Sequence, residues 1–120
     1  MRLLVLILSA LLMAPAHAEP RQVIGYAGVL GEWELTADVA EAANGELSGP
    51  ATITHVGICT QDGPEQKTGD IRLQISSSRL NATLSLAGLE CTYSGRLSDA
   101  YKGQMSCPDR PPMPLTLWVR

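Results

Sequence analysis

The chain has 120 residues, of which 9 are Lys or Arg and 12 are Asp or Glu, so its formal net charge is −3. This acidic balance argues against a nucleic-acid partner, because nucleic-acid binding depends on Lys and Arg neutralising backbone phosphates. The length allows one domain with a modest core and excludes two domains of ordinary size. Within the chain, the apolar residues are concentrated at the N-terminus.

The N-terminal segment has the pattern of an export signal. A single positive charge is followed by a leucine-rich apolar run and then by Ala16-His17-Ala18, with small residues at the positions that precede a cleavage point. The run is shorter than the ~20 residues that a membrane-spanning helix needs. We therefore expect residues 1–18 to be a signal peptide. Residues 19–120 would then be a single periplasmic or secreted domain that does not insert into a membrane.

The rest of the chain is predicted to be all-β. Its apolar residues alternate in short runs separated by Gly, Pro, Asn and Asp, as in Ile71/Leu73/Ile75. The alanines of residues 36–43 also favour a helix, but the turn signal at Asn44-Gly45 suits a hairpin equally well. The predicted strands are 22–30, 32–40, 46–49, 51–60, 70–77, 80–87, 89–97 and 101–107, with 114–119 as an optional ninth. Turn signals about every ten residues favour an antiparallel up-and-down meander of about eight strands closing into a small barrel, with a β-sandwich as the alternative.

Residues 61–69 are predicted to form the longest polar loop of the domain. Such loops bind ligands and partners more often than strands do. We therefore expect Asp62, Glu65 and Lys67, together with Trp118, to contact a ligand or partner. Trp33 and Trp118 lie near the two ends of the domain, and in a closed meander the first and last strands are neighbours. Both would then seal one end of the barrel, and the alternative is exposure at a ligand mouth.

The three cysteines indicate one disulfide. An exported protein is expected to pair its thiols, and three cannot all pair within one molecule. In a hairpin centred on Asp99, Cys91 and Cys107 lie directly opposite one another, at a distance close to disulfide geometry. This register favours a Cys91–Cys107 bond and leaves Cys59 free or intermolecular. The alternative is a bond from Cys59 to either of the other two.

Few residues have the spacing of a catalytic or metal site. His55 and Cys59 are four residues apart in a β-branched segment, and on a strand that spacing places them about 13 Å apart, too far for one metal ion or a Cys-His pair. A bulge at Gly57 would change this. Met105, Cys107 and Met113 are soft sulfur groups of the kind that copper(I) prefers, although packing explains them as well. We expect no catalytic residue, no metal site and no cofactor, and hence not an enzyme.

Two short motifs resemble a known superfamily. Gly31-Glu32-Trp33, followed by Asn44-Gly45-Glu46-Leu47-Ser48-Gly49, is similar to the start of a calycin-type barrel, a group that includes lipocalins, avidins and small periplasmic metalloprotease inhibitors. The resemblance covers residues 31–49. It implies an eight-stranded up-and-down barrel that binds a ligand or blocks another protein, and it gives Gly31 and Trp33 structural roles.

Three functions follow as expectations. The first is an exported barrel that binds either a periplasmic protein, as an inhibitor would, or a small apolar ligand. The second is a subunit for envelope assembly that uses its edge strands or Cys59. The third, with the least support, is a metal carrier or an enzyme that uses His55 and Cys59.

Overall fold

The computed structural model describes residues 20–60 and 63–120, with no description of the side chains of residues 57–60 and 64. The expected signal peptide and Asp62 therefore lie outside the described residues. The strands are β1 (Arg21–Ala27), β2 (Trp33–Glu41), β3 (Leu47–Thr60), β4 (Gly63–Ser76), β5 (Arg79–Leu86), β6 (Leu89–Leu97), β7 (Tyr101–Ser106) and β8 (Met113–Val119). The described ranges hold no helix that is long and apolar enough to cross a lipid bilayer.

The eight strands form a closed antiparallel barrel. Each strand pairs with the next along the chain, and β8 pairs back to β1, with Trp118 opposite Ile24. The predicted all-β meander is therefore confirmed, as a barrel and not a sandwich. This architecture fits a calycin-like small barrel. The segment that also favoured a helix is extended as far as Glu41.

The predicted division near residue 50 is wrong, because 46–49 and 51–60 belong to the single strand β3. Pro50 interrupted the sequence pattern because a proline cannot donate to a strand ladder. The ladder between β2 and β3 runs from Ala37 opposite Ala51 to Ala40 opposite Ser48, and it skips the two residues between them. Pro50 thus lies where no donor is needed. The optional ninth strand is the eighth, β8.

The predicted polar loop 61–69 is also wrong, because residues 63–69 belong to β4. Pairing of β4 with β5 begins only where Gly69 lies opposite Leu86, so residues 63–68 pair with β3 alone. Glu65, Gln66 and Thr68 are exposed on this part of β4 and Lys67 is only partly buried, which explains its polar composition. The predicted strand 22–30 is also too long. It ends at Ala27, and Val29 and Leu30 lie in the loop that follows.

Alternate residues point into the barrel and form one core. The largest fully buried side chains are Leu35, Ile71, Leu73, Leu80, Leu84, Leu115, Leu117, Val23 and Val39. They fill the barrel from its middle to the end that carries the connections β2–β3, β4–β5 and β6–β7, which we name the closed end. The other end carries the connections β1–β2, β3–β4, β5–β6 and β7–β8, and it opens into a cavity that we name the mouth.

A disulfide links Cys91 to Cys107, with their Cα atoms 4.3 Å apart. The neighbouring pairs, Thr92 opposite Ser106 and Tyr93 opposite Met105, show that the hairpin is centred on Asp99. The predicted pairing and its register are therefore confirmed. The bond is also consistent with a location outside the cytoplasm.

Candidate functional site at the barrel mouth

The mouth is a cavity of about 260 Å³ at the open end of the barrel. Most of its lining is apolar or contains sulfur, and two basic side chains, Lys67 and Arg110, complete it. The other lining residues are Trp33, Ile53, Leu86, Ala87, Leu89, Cys91, Met105, Cys107, Pro111 and Met113. An apolar wall with a few polar groups is the usual composition of a small-molecule site. The volume lies just below the ~300–1,000 Å³ typical of drug-sized ligands, so a ligand here must be small.

Trp33 forms one wall of the mouth and contacts Lys67 and His55. The Lys67 ammonium lies 5.7 Å from the centroid of the indole, within the range of a cation–π interaction. The His55 ring lies opposite Trp33 on β3, with 4.3 Å between the ring centroids and a tilt of 39°. These contacts hold the indole in place. The structural role predicted for Trp33 therefore coincides with a position in the cavity lining.

The charge at the mouth is mainly positive. Lys67 lies 3.9 Å from the Glu65 carboxylate, and both side chains are partly exposed to solvent, so this pair is weak. Arg110 is exposed in the proline-rich connection between β7 and β8 and makes no ion pair within the described residues. One weakly paired cation and one unpaired cation thus border an apolar cavity.

The wall opposite β2 is rich in sulfur. Met105 and Met113 are direct partners on β7 and β8, and both line the cavity beside the Cys91–Cys107 bond. Methionine side chains adapt to irregular ligands because they are unbranched and polarisable. The disulfide fixes the start of the connection that carries Arg110. Strand pairing and the covalent bond together position this wall.

Tyr93 lies one inward position deeper than Cys91, between the mouth and the closed end. Its hydroxyl donates a hydrogen bond to the Leu115 carbonyl at 3.0 Å, which links β6 to β8 across the interior. Burial in the core disfavours the charged phenolate and raises the pKa of Tyr93 to about 12. The phenol therefore stays neutral at any physiological pH.

The predicted contact residues separate in the structure. Glu65 and Lys67 lie on β4 at the mouth, where only Lys67 lines the cavity. Trp118 lies on the outer wall, with its ring edge-on to Tyr26 at 5.9 Å between centroids, so the two tryptophans do not seal one end together. Arg110 was missed because nothing in its local sequence indicates that its connection folds back over the mouth.

His55 and Cys59 can be compared only in part. The β3–β4 register shifts between Thr54 and Cys59, which matches the irregularity considered at Gly57, but the Cys59 side chain lies outside the described residues. The Nδ1 atom of His55 is buried and has no hydrogen-bond partner in the described chain. Across the described residues, no group of three His, Cys, Asp or Glu side chains is arranged to hold a metal ion.

An apolar patch lies on the outer wall beside the mouth. In the β1–β2 loop, Val29 and Leu30 are 85% and 90% exposed. The loop is braced, because the Gly28 amide donates to the Pro114 carbonyl at 2.9 Å and the Leu30 amide donates to the Glu32 carboxylate at 3.0 Å. Tyr26 and Val56 are also exposed near this loop, and Trp118 lies further from it, beside β1 and in contact with Tyr26. We name these five residues the outer patch.

Comparison with protein-family models, curated proteins and solved structures finds nothing that matches this chain. Function is therefore inferred from the geometry of the mouth and the outer wall.

Proposed function

We propose that this protein is an exported binding protein whose barrel mouth holds a small apolar molecule with an acidic group. The supporting observation is the composition of the mouth, in which an apolar and sulfur-rich cavity of about 260 Å³ is bordered by Lys67 and Arg110. The apolar part of a ligand would leave water against the methionines and leucines. Its acidic group would stay near the solvent, beside the two cations.

The filled closed end limits the ligand to the mouth. Leu35, Leu80 and Leu117 are fully buried in the core beyond the cavity, so a long ligand cannot enter the barrel axis. This supports a short acyl chain or a single ring and argues against the large ligands held by wide barrels. Export to the periplasm or the exterior is part of the proposal. It is supported by the pattern of residues 1–18 and by the disulfide.

Tryptophan fluorescence with a charge series of ligands tests the proposal. The probes are octanoate, octanol and octyltrimethylammonium, which share a chain and differ in the head group. We expect octanoate to change the Trp33 emission at the lowest concentration and octyltrimethylammonium at the highest. Measuring in a Trp118→Phe background isolates the signal of Trp33, because Trp118 lies on the outer wall.

Variants assign the binding to the mouth. Lys67→Met and Arg110→Gln should each weaken octanoate binding about 2- to 5-fold, the effect of one partly exposed charge pair, and should leave octanol binding unchanged. Arg21→Gln removes the same charge from β1 away from the mouth and is the matched control. No response to any of the three probes, or equal responses to all three, would contradict the proposal.

The outer patch supports a second candidate, binding of a periplasmic protein in the manner of an inhibitor. Exposed apolar groups at a braced loop are typical of protein contact sites. The resemblance to metalloprotease inhibitors points to an exported protease as the partner. In assays with purified exported metalloproteases, Val29→Ser/Leu30→Ser should abolish inhibition. Leu97→Ser, at an exposed leucine at the closed end, should not. Full activity of every protease in the presence of the unaltered protein would reject this candidate.

Assembly through edge strands has less support than either binding function. Every strand in the described barrel has two neighbours, so little strand edge is free for another chain to extend, the exception among the described residues being the start of β4, which pairs with β3 alone.

A further inference from the structure

Polar side chains form two straight rows across the outer face of β4, β5, β6 and β7. In the first row, Arg72, Thr83, Thr92 and Ser106 lie opposite one another on successive strands. In the second row, two residues further along each strand, Gln74, Asn81, Ser94 and Gln104 are aligned in the same way. All eight side chains lie on the solvent side of the barrel, because the alternate positions fill its core.

The two rows line a concave groove of about 590 Å³, larger than the mouth. Glu46 borders it, and the Gln74 amide donates a hydrogen bond to the Glu46 carboxylate at 3.4 Å. Within the described chain, the other side chains of the two rows make no hydrogen bond to protein. The groove therefore presents a regular array of hydroxyl and amide groups, which both donate and accept hydrogen bonds, together with the Arg72 guanidinium, which only donates. Such an array matches a ligand that itself carries many hydroxyl groups.

A third row, next to the second, is cationic. Arg79, Arg96 and Lys102 lie directly opposite one another on β5, β6 and β7, and all three are exposed. Like charges in opposite positions destabilise a sheet. The one ion pair within the described residues joins Lys67 to Glu65, so no carboxylate neutralises this row. In a chain of net charge −3, three aligned cations without partners indicate a binding site for negative charge.

The opposite border of the groove is acidic. Next to the first row, the register aligns Asp70, Ser85 and Glu90 on β4, β5 and β6. Carboxylates at this border repel an anion, whereas the cationic row attracts one. The charge of the two borders therefore differs along the strand direction, and two charged groups lie inside the groove, the Arg72 guanidinium in the first row and the Glu46 carboxylate beside Gln74. An acidic ligand would lie with its charges toward Arg79, Arg96 and Lys102, and Arg72 is a fourth cation within its reach.

We propose that this groove binds an acidic oligosaccharide. Its hydroxyl groups would bond to the two polar rows, and its carboxylate or sulfate groups would lie at the cationic row. The hydroxyl and amide groups of the rows favour a sugar over a polyphosphate, because sugar hydroxyls both donate and accept hydrogen bonds whereas ionised phosphate oxygens only accept them. This site lies on the outer wall and is independent of the function proposed for the mouth.

Calorimetric titration with defined probes tests the proposal. Tetragalacturonate and a heparin-derived tetrasaccharide supply acidic sugars, maltotetraose is the neutral counterpart, and tripolyphosphate and vesicles of anionic phospholipid supply negative charge without the sugar. We expect binding of at least one acidic sugar and a 10-fold or greater preference for it over maltotetraose. Binding should weaken as salt concentration rises, because the cationic row is exposed.

Two variants separate recognition of the sugar from attraction by charge. Arg96→Gln should weaken binding of the acidic sugar and of tripolyphosphate alike, whereas Asn81→Ala should weaken only the acidic sugar, by about 2- to 10-fold, the effect of one hydrogen bond. Both residues are exposed, so circular dichroism should show an intact fold. Arg21→Gln, on the opposite side of the barrel, is the charge-matched control and should bind normally.

Three outcomes would overturn the proposal. The first is no binding of either acidic sugar at low salt. The second is binding of tripolyphosphate or vesicles as tight as that of the sugars, with no effect of Asn81→Ala, which would reduce the site to general attraction of anions. The third is sugar binding that survives Arg96→Gln but is lost in Lys67→Met, which would move the site to the mouth.

Discussion

The two ends of the barrel are built from the same strands but differ in the side chains that point into the interior. At the closed end the inward positions hold branched aliphatic side chains such as Val23, Leu80 and Leu117, which are fully buried. At the mouth the inward positions hold Trp33, Lys67 and other side chains that stay partly exposed. The strand count therefore does not decide whether a small barrel is filled. The size and polarity of the inward residues at each level decide it.

The largest expected difference between the two ends is in packing energy. Leu80→Ala, at the closed end, should lower the free energy of unfolding by about 2–5 kcal/mol, because a fully buried leucine leaves a cavity. Leu89→Ala, at the half-buried mouth, should cost about 1 kcal/mol, since solvent already reaches that site. Urea denaturation of both variants measures the difference. Equal losses would mean that the mouth is packed as tightly as the closed end.

The second prediction concerns how the mouth is held together. Cys91→Ser/Cys107→Ser should lower the free energy of unfolding by about 2–4 kcal/mol, because the bond closes a loop across a sequence separation of 16 residues. Urea denaturation measures this loss. Because the bond borders the cavity, octanoate binding should weaken as well. A variant with unaltered stability would show that the mouth, like the closed end, is held by packing alone.

Tyr93 lies between the two ends and gives the third prediction. Tyr93→Phe removes the hydrogen bond to the Leu115 carbonyl and should cost about 1 kcal/mol at pH 7. The pKa of the phenol is raised from 10.0 to about 12 by burial, so between these values the unfolded chain loses a proton that the folded chain keeps. This contribution to stability is complete below pH 10. It falls by ~2–3 kcal/mol as the pH rises to 12.

Urea denaturation between pH 9 and pH 12 measures that loss. In Tyr93→Phe the loss should shrink, whereas Tyr26→Phe, at an exposed tyrosine, should leave it unchanged. An identical alkaline loss in the unaltered protein and in Tyr93→Phe would contradict the assignment of this pH dependence to the buried phenol.

The smallest expected effect is at the outer wall. Trp118→Phe keeps an aromatic ring beside Tyr26 and should change the free energy of unfolding by less than about 1 kcal/mol. Octanoate binding, followed by calorimetry, should be the same as in the unaltered protein. Weaker octanoate binding in this variant would indicate that Trp118 contacts the ligand, as the sequence predicted.

Much of the fold follows from short-range patterns. Alternation within Ile71–Ile75 and Leu80–Leu86 assigns one face of each strand to the core. The positions of Cys91 and Cys107 about Asp99 specify the register of their hairpin. Local turn chemistry also holds, since Asn44 accepts a hydrogen bond from the Glu46 amide and Gly45 has a positive φ of 83°.

The features that the sequence did not predict depend on how distant strands pair, which the spacing of residues along the chain does not specify. The first residues of β4 pair with β3 alone and include the exposed Glu65, Gln66 and Thr68, so their polar composition resembles that of a loop. Pro50 is compatible with a strand only because the ladder with β2 is interrupted beside it. At the mouth, Trp33, Lys67 and Arg110 come from three distant segments, and they meet through the stagger of strands around the barrel. The outer rows likewise require the registers of four strands together.

Closure of the barrel also determines which strand pairing can form last during folding. Val23 pairs with Val119, so the first strand has to wait for the last before the ring is complete. Joining segments so distant in sequence is entropically costly, and β-topologies of this kind fold in milliseconds to seconds. Until that final pairing, β1 and β7 each present a row of unsatisfied backbone groups to other chains. Protection against aggregation during folding thus depends on the arrival of the C-terminal strand.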